Sequence, residues 1–320
     1  MNEPQCFSPF SGNSNVICLR KISTEVIADR WLKEMGISLS SSFRKIGTIY
    51  HWRCLETSFE WYTPRTAAGD AAFYEQLSQR PEGYYSQEDK WEFRVALDYI
   101  QKEDKVLEVG IGNARFLSLA RKYCIQVEGV EINPFAARRA RELGFVVYQI
   151  DVSSLVENLA EKYDVVCSFH VLEHVPNPVE HISTLLKLLR HGGKLILSVP
   201  NRDVLHSFLI DPRYELLLDQ PPHHMSHWNE KTFRCLPNLF SISIESIAFE
   251  PLIGHHINWP TVTYVRNQLK KYLGISESLS IFIANRYTLG LVSKLLKLKY
   301  KTLFRGQSIL VVLRKTELIK

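Results

Sequence analysis

The sequence predicts a doubly wound α/β fold from about residue 86 to the C-terminus. From Lys105 onward, short apolar runs alternate with helical patterns, which is typical of a mostly parallel sheet. The apolar runs are nearly continuous, because helices cover both faces of such a sheet. Gly110 and Gly112 directly follow the first run, where the chain turns from strand into helix.

The elements of this fold can be placed in order along the chain. We predict strands at 106–109, 127–132, 146–150, 163–169, 194–199, 241–249 and 308–313. We predict helices at 114–123, 134–143 and 178–189. Asn133 followed by Pro134 marks a helix start, because Asn caps the first backbone N–H groups and Pro fits the first turn. Ser154 and Glu157 have the spacing of a capping box and predict a further short helix.

Two segments differ from this pattern. Residues 1–85 mix short strand-like runs, a helix near 22–35 and turn residues, and we interpret them as an irregular accessory segment. Residues 86–320 form the α/β domain, and a mostly helical insertion at about 254–305 separates its last two strands. A chain of 320 residues is long enough for one sizeable domain together with an additional segment.

Composition indicates a folded, cytoplasmic protein. Hydrophobic residues make up 45% of the chain, which is ordinary for a globular core. The N-terminus has no basic and apolar leader, so we expect neither secretion nor a membrane span. Six cysteines in 320 residues do not indicate a disulfide scaffold, and we expect Cys124 and Cys167 to be packed thiols.

The net charge of +5 is unevenly distributed. Residues 261–320 contain twelve basic and two acidic residues, a net charge of +10, so the remainder has −5. This asymmetry predicts an anionic partner or surface for the C-terminal region. A helix at 289–305 would place four basic residues on one face. That helix is either a core element with a solvated basic side or a peripheral contact to an anionic membrane.

The glycine turn and an acidic residue after the second strand predict a nucleotide-type ligand. Ligands of open α/β sheets bind at the carboxyl ends of the strands. Glu131 follows Gly110 by about 20 residues, where a carboxylate can bind ribose hydroxyls. An ordinary tight turn would also explain the glycines. A dinucleotide site would have a third glycine where this chain has Arg115, so a nicotinamide cofactor is disfavoured.

Several runs resemble class I S-adenosylmethionine (SAM)-dependent methyltransferases, in the order of that family. Residues 106–113 resemble its first SAM motif, and residues 150–152 its adenine-contacting segment. Residues 168–175 resemble the segment after strand four in small-molecule methyltransferases, including those of ubiquinone biosynthesis. Residues 192–197 resemble the turn and strand that follow.

This resemblance implies a Rossmann-like, mostly parallel seven-stranded sheet whose last strand is antiparallel, with SAM as the cofactor. It implies a set of cofactor-binding residues around the carboxyl edge of the sheet: Glu108, Gly110, Gly112, Glu131, Ile132, Asp151, Val152, Phe169 and His170.

Two patterns raise the question of a metal. Residues 170–174 match H-x-x-E-H, but they follow a strand and precede prolines, so a zinc-protease helix is disfavoured. Some ubiquinone-pathway relatives are associated with a divalent cation near this segment, and His170 replaces one matching acid. Cys6 and Cys54 lack close cysteine partners, so the N-terminal segment resembles a degenerate zinc-ribbon module. We predict no bound metal.

The segment 221–228, Pro-Pro-His-His-Met-Ser-His-Trp, supplies the candidate catalytic residues. It resembles a segment of methyltransferases linked with sugar or surface-glycan modification. A neutral histidine can remove a hydroxyl proton near pH 7, so we predict His223 or His224 as the general base. A rigid loop whose histidines only bond to the backbone is the alternative.

The resulting hypothesis is O-methylation of a small molecule, with a sugar or a glycolipid precursor as the expected acceptor. The segment after the fourth predicted strand differs from the Asn/Asp-Pro-Pro-aromatic motif of enzymes that methylate bases, which disfavours N-methylation. An RNA or protein methyltransferase that docks through the basic region is a second possibility, although that region lacks interleaved aromatics. A SAM-binding module without catalysis is a third. The oligomeric state cannot be predicted.

Overall fold

The computed structural model describes residues 4–79, 90–204, 216–251, 265–266, 268–270, 272–274, 276–284 and 305–317. The predicted insertion at 254–305 and its helix at 289–305 fall largely outside these ranges, so both stay predictions. The chain divides into two compact units. The first comprises 1–199, 217–248 and 310–320, and the second comprises 200–216 and 249–309.

Strands and helices alternate through most of the first unit. In chain order the strands are β1 (Val16–Ser23), β2 (Thr48–Cys54), β3 (Glu60–Thr63), β4 (Lys105–Val109), β5 (Gln126–Val130), β6 (Val147–Tyr148), β7 (Tyr163–Phe169), β8 (Leu189–Pro200), β9 (Ser226–His227), β10 (Ile242–Phe249) and β11 (Ser308–Lys315). The α-helices with defined bounds are α1 (Thr24–Met35), α2 (Ser41–Lys45), α3 (Ala71–Ser78), α4 (Trp91–Leu97), α5 (Arg115–Lys122), α6 (Pro134–Glu142), α7 (Val156–Leu159), α8 (Pro178–Leu188), α9 (Glu230–Arg234) and α10 (Glu277–Ile283).

Seven strands form one sheet, in the order β10-β11-β8-β7-β4-β5-β6. The five strands from β8 to β6 are parallel to their neighbours. Strand β11 is antiparallel to β10, because Thr316 N–H donates to Ser241 O while Glu250 N–H donates to Ser308 O. The predicted fold, a mostly parallel seven-stranded sheet with an antiparallel last strand, is confirmed.

The core of this sheet lies where four neighbouring strands meet. Val106, Val165, Ile196 and Leu310 come from β4, β7, β8 and β11, and each is at most 1% exposed. Burial of each such side chain contributes about 1.5–3 kcal/mol. These residues belong to the continuous apolar runs of the sequence, which explains why the strands could be predicted.

Three local predictions differ from the structure. The capping box of Ser154 and Glu157 does not form, because the carboxylate of Asp151 caps this turn instead and accepts from Ser153 N–H at 2.9 Å. Strand β6 pairs over two residues only, since it lies at the edge of the sheet. Cys124 is exposed, in a left-handed turn after α5, whereas Cys167 is buried as predicted.

The N-terminal segment is more regular than predicted. Strands β1, β2, β3 and β9 form an antiparallel four-stranded sheet. Helix α1 packs on it through Ile27 and Trp31, and the ring of Trp31 meets Phe73 of α3 edge to face at 4.9 Å. The last strand, β9, comes from residues 226–227, so this sheet combines the N-terminal segment with a distant loop.

A buried carboxylate joins β2, β3 and β9. Glu60 is 2% exposed, and its Oε1 accepts from the guanidinium of Arg53 at 2.6 Å. Its Oε2 lies 3.0 Å from His51 Nε2 and 3.3 Å from His227 Nδ1. Burial lowers the pKa of His51 to about 3, so this ring is neutral near pH 7.

The second unit contains helix α10, which is capped by Ser276, whose hydroxyl accepts from Leu279 N–H at 3.3 Å. The guanidinium of Arg266 donates to Ala284 O at 2.7 Å. Arg305 lies over the ring of Phe249 at 3.7 Å from its centroid. In the part of the chain that the structure describes, no helix has both the length and the apolar character needed to cross a bilayer.

Glu60→Gln is expected to lower the free energy of unfolding by about 1–3 kcal/mol, because its buried carboxylate accepts a charge-assisted hydrogen bond from Arg53, which is itself partly exposed. Glu103→Gln, at an exposed position, is the control and is expected to change it by less than about 0.5 kcal/mol. Denaturant unfolding of both variants measures the difference. A loss below about 1 kcal/mol for Glu60→Gln would show that the cluster contributes little.

Candidate active site

The turn after β4 requires glycine at its first position. Gly110 has φ +82°, in the left-handed region, and its N–H donates to Val130 O at 2.8 Å. A Cβ atom at Gly110 would lie 2.3 Å from Cγ2 of Val171, which belongs to the loop after β7. Gly112 also has a positive φ, of 49°. The turn therefore lets two loops approach closely at the carboxyl edge of the sheet.

Two acidic residues lie buried beside this turn. The carboxylate of Glu131 accepts from Gly112 N–H at 2.9 Å and from Asn133 N–H at 2.8 Å. Burial raises the pKa of Glu131 despite these bonds. Burial and the neighbouring Glu131 raise the pKa of Glu108 well above its usual range. Oε2 of Glu108 has no hydrogen-bond partner among the residues that the structure describes, so it is an acceptor that a ligand could use.

The other predicted cofactor residues differ in exposure. Ile132 is 66% exposed, as an apolar contact for a ligand would be, and Asp151 is exposed where it caps the following turn. Val152 is buried. The ring of Phe169 is also buried, in the core of the sheet, 4.9 Å from Phe116.

A cavity of about 190 Å³ opens beside the glycine turn. It is lined by Ser78, Gln79, Asn113, Asn133, Phe135, Ala136 and Arg139. Asn113 directly follows Gly112, and Asn133 donates its backbone N–H to the carboxylate of Glu131. The cavity therefore lies next to the predicted ribose-binding acid.

His170 is held between two buried carboxylates. Its Nε2 lies 2.9 Å from Glu92 Oε1 in α4, and its Nδ1 lies 3.2 Å from Glu173 Oε1. Both partners are acceptors, so both ring nitrogens have protons. Burial disfavours the positive charge of the doubly protonated ring. The hydrogen bonds to Glu173 and Glu92 outweigh this effect of burial and raise the pKa of His170 to about 9. His170 is therefore an imidazolium, in the left-handed region with φ 54°.

His223 and His224 lie with His174 in one cluster of rings. The centroids of His174 and His223 are 4.5 Å apart, and His223 stacks on His224 at 4.6 Å. Nδ1 of His174 donates to the carbonyl oxygen of His223, and Nδ1 of His223 donates to Leu218 O, both at 2.8 Å. Burial lowers the pKa of His223 well below its usual range, so its imidazole is neutral.

The two predicted groups of site residues are joined through Glu173. Its carbonyl oxygen accepts from Met225 N–H at 2.7 Å and from Ser226 N–H at 3.2 Å. Its carboxylate contacts His170. The loop after β7, which approaches the glycine turn, is thereby fixed to the loop that contains His223 and His224.

Three residues of this site were not predicted. Glu92 pairs with His170. Tyr74 of α3 donates from its hydroxyl to His223 O at 3.3 Å, and Asp219 Oδ1 lies 3.4 Å from His224 Nδ1. None of them has a local sequence signal, because each acts on residues far away in the chain.

Two groups of side chains have the spacing of metal ligands, within the ranges that the structure covers. They are His174 with His223 and His224, and His51 with Glu60 and His227. The cysteines belong to neither group. Sγ of Cys54 instead lies 3.7 Å from the hydroxyl of Ser11.

Comparison with known proteins identifies the family. The family described as a methyltransferase domain matches residues 87–272. A ubiquinone biosynthesis O-methyltransferase from Actinobacillus pleuropneumoniae is 29% identical over 180 residues, which are 51% of this chain and 76% of that protein. One from Vibrio cholerae is 30% identical over 166 residues, 50% of this chain and 67% of that protein.

Among solved structures, a SAM-dependent methyltransferase from Archaeoglobus fulgidus aligns with a TM-score of 0.46 and 20% identity, covering 70% of this chain and 91% of that one. The family match covers more than half of the chain and includes the glycine turn, Glu131 and the loop after β7. The chain belongs to the class I SAM-dependent methyltransferases, and it is an enzyme whose cofactor is SAM.

Proposed function

We propose that the protein transfers the methyl group of SAM to a hydroxyl group of a small molecule. Its curated relatives are named as O-methyltransferases of ubiquinone biosynthesis, which supports a hydroxyl acceptor. The observation that carries the proposal is the histidine cluster beside the loop after β7. Methylation of a hydroxyl group requires a base that removes its proton, whereas methylation of an amine depends less on such a base. The sugar or glycan acceptor favoured by the sequence has no support from these relatives and stays a prediction.

We assign the cofactor to the glycine turn and to the two buried acids. Glu131 is proposed to accept from the ribose hydroxyls, since its carboxylate can accept more bonds than the two it has from the backbone. Glu108 offers its unbonded carboxyl oxygen, Oε2, to a polar group on the methionine part of SAM. Gly110 and Gly112 let the backbone approach the ligand.

We assign the general base to His224 in preference to His223. Asp219 Oδ1 lies 3.4 Å from Nδ1 of His224, where a carboxylate orients the ring and stabilises the charge that forms when Nε2 takes a proton. Nδ1 of His223 donates to the carbonyl oxygen of Leu218, which orients the ring but adds no full charge.

Nε2 of His224 accepts the hydroxyl proton while the acceptor oxygen forms a bond to the methyl carbon. Bound SAM would supply this methyl group, and the electron pair of its carbon–sulfur bond would go to sulfur. The products are a methyl ether, S-adenosylhomocysteine and the protonated base. We place this chemistry in the cytoplasm, in agreement with the sequence composition.

The acceptor class can be tested with SAM labelled with tritium in its methyl group. The purified protein is incubated with 3,4-dihydroxybenzoate as a phenolic probe and, separately, with glycan, lipid, RNA and protein fractions of cells. Label in the phenolic probe, or in the glycan or lipid fraction, supports the proposal. Label in RNA or in protein alone contradicts it.

Glu131→Ala is expected to weaken SAM binding by about 1.5–3 kcal/mol, because hydrogen bonds to a charged group are lost. This corresponds to about a 10- to 150-fold higher Kd by calorimetry. Glu142→Ala, at an exposed position of α6, is the control. An unchanged Kd for Glu131→Ala would refute the ribose-binding role.

Gly110→Ala is expected to weaken SAM binding at least tenfold and to lower Tm, because its new Cβ would overlap Val171. Gly192→Ala is a matched control. Gly192 also has a positive φ, of 74°, but its Cβ would meet no atom within 4 Å. Both variants have the left-handed strain of about 1–2 kcal/mol. Equal SAM affinities, measured by calorimetry, would show that the turn is not part of the cofactor site.

His224→Ala is expected to reduce kcat by about 10²–10⁴-fold, the usual contribution of a general base. SAM affinity is expected to stay unchanged, since His224 is not among the cofactor residues. His223→Ala should have a smaller effect, and His191→Ala, in an exposed position, none. Turnover with the acceptor found in the labelling assay measures all three. Full activity of His224→Ala would disprove its role as base.

A further inference from the structure

We propose that His174, His223 and His224 form a binding site for a divalent transition-metal cation of the zinc type. The site would lie within the proposed catalytic cluster. The inference rests on the proposed function in one respect: a cation on these rings would hold the lone pair that His224 needs as a base. Binding of the cation itself is independent of that role.

The ring nitrogens of the three histidines lie near one another. One nitrogen of each histidine lies within 4.8 Å of the nitrogens of the other two. In a tetrahedral zinc site with bonds of 2.0–2.1 Å, ligand nitrogens are about 3.4 Å apart. The three nitrogens would therefore move together by at most about 1.4 Å, and the stacked rings of His223 and His224 would turn relative to one another to aim at one ion. All three rings are largely withdrawn from solvent.

The second ring nitrogen of each histidine is held as it is in metal sites. Nδ1 of His174 and Nδ1 of His223 each donate to a backbone carbonyl at 2.8 Å. Nδ1 of His224 faces the carboxylate of Asp219 at 3.4 Å. Histidines that bind metals usually donate their other N–H to a carbonyl or a carboxylate, which fixes the tautomer. In His174 and His223 this tautomer places the lone pair on Nε2.

A buried carboxylate supplies charge compensation and a possible fourth ligand. Oε1 of Glu173 lies 3.9 Å from Nε2 of His174. Oε2 of Glu173 is buried and has no hydrogen-bond partner in the described part of the chain. A buried carboxylate oxygen of this kind calls for an explanation, and a cation beside it would satisfy it.

The donor set indicates which cation would bind. Imidazole nitrogens suit zinc, copper and nickel, whereas magnesium takes oxygen ligands. The cluster thus differs from an acidic magnesium site. His170 is excluded as a ligand, because both of its nitrogens face carboxylates. The group of His51, Glu60 and His227 is less suited, because the guanidinium of Arg53 lies 2.6 Å from Glu60 and repels a cation.

The test uses the full chain after treatment with a chelator. Calorimetry with zinc chloride is expected to show one ion per chain. His174→Ala, His223→Ala and His224→Ala should each weaken binding about 100-fold or more, since even outer partners of a metal site matter 10- to 100-fold. His191→Ala should bind as the unchanged protein does. Millimolar magnesium should not displace zinc. Zinc binding that survives in the three variants would overturn the proposal, as would its absence in the unchanged protein.

Cobalt(II) spectra of the unchanged protein test the site without relying on variants, which could lose binding because they fail to fold. The unchanged protein with one equivalent of cobalt is expected to show the intense visible absorption of a tetrahedral site. The weak spectrum of an octahedral, oxygen-ligated ion would overturn the proposal, whatever the variants do.

Measuring turnover with and without zinc distinguishes a failure of the metal site from a failure of the base assignment. If zinc binds and inhibits the chelator-treated enzyme, both stand. If zinc binds without inhibition, the metal site stands and His224 is not the base. If zinc does not bind while His224→Ala is inactive, the base assignment stands and the metal site is refuted.

Discussion

The position of Glu173 is the constraint on which the rest of the site depends. Its backbone carbonyl accepts two N–H bonds, from Met225 and Ser226, and its side chain contacts His170. The two bonds to its carbonyl oxygen fix the loop that contains His223 and His224 to the loop after β7. Because Val171 of that loop packs against the glycine turn, one short segment determines the distance between the cofactor edge and the proposed base.

Burial of so many charges near one edge is costly, and it requires pairing. The imidazolium of His170 neutralises part of the charge of Glu92 and Glu173, and its own raised pKa follows from the same contacts. Burial and the neighbouring Glu131 instead raise the pKa of Glu108, and the raised pKa favours its neutral form, so that this buried group avoids the cost of a charge. The histidine cluster avoids the cost because burial keeps rings such as His223 neutral. The neutral imidazole is the form in which a histidine can take a proton or bind a metal.

The sequence was sufficient for features that depend on local residues. Asn133 caps α6 as predicted, with its side chain accepting from Phe135 and Ala136 N–H, and the glycine turn and the mostly parallel seven-stranded sheet agree with prediction. Features that depend on distant residues were not predictable. Strand β9 has two residues and no periodicity of its own, and it exists only because Glu60 and Trp61 lie beside it. For the same reason Glu92, Tyr74 and Asp219 were missed as site residues.

The N-terminal sheet explains why the accessory segment accompanies this methyltransferase domain. Strand β9 begins two residues after His224, and it pairs with β3. Nε2 of His227 donates to the carbonyl of Asp219 at 2.7 Å, so the buried contact between His227 and Glu60 also orients the residue that faces His224. Residues 216–228 have little regular structure by themselves. The N-terminal sheet supplies the partners that hold this loop in one conformation, and a base held in one conformation transfers protons efficiently.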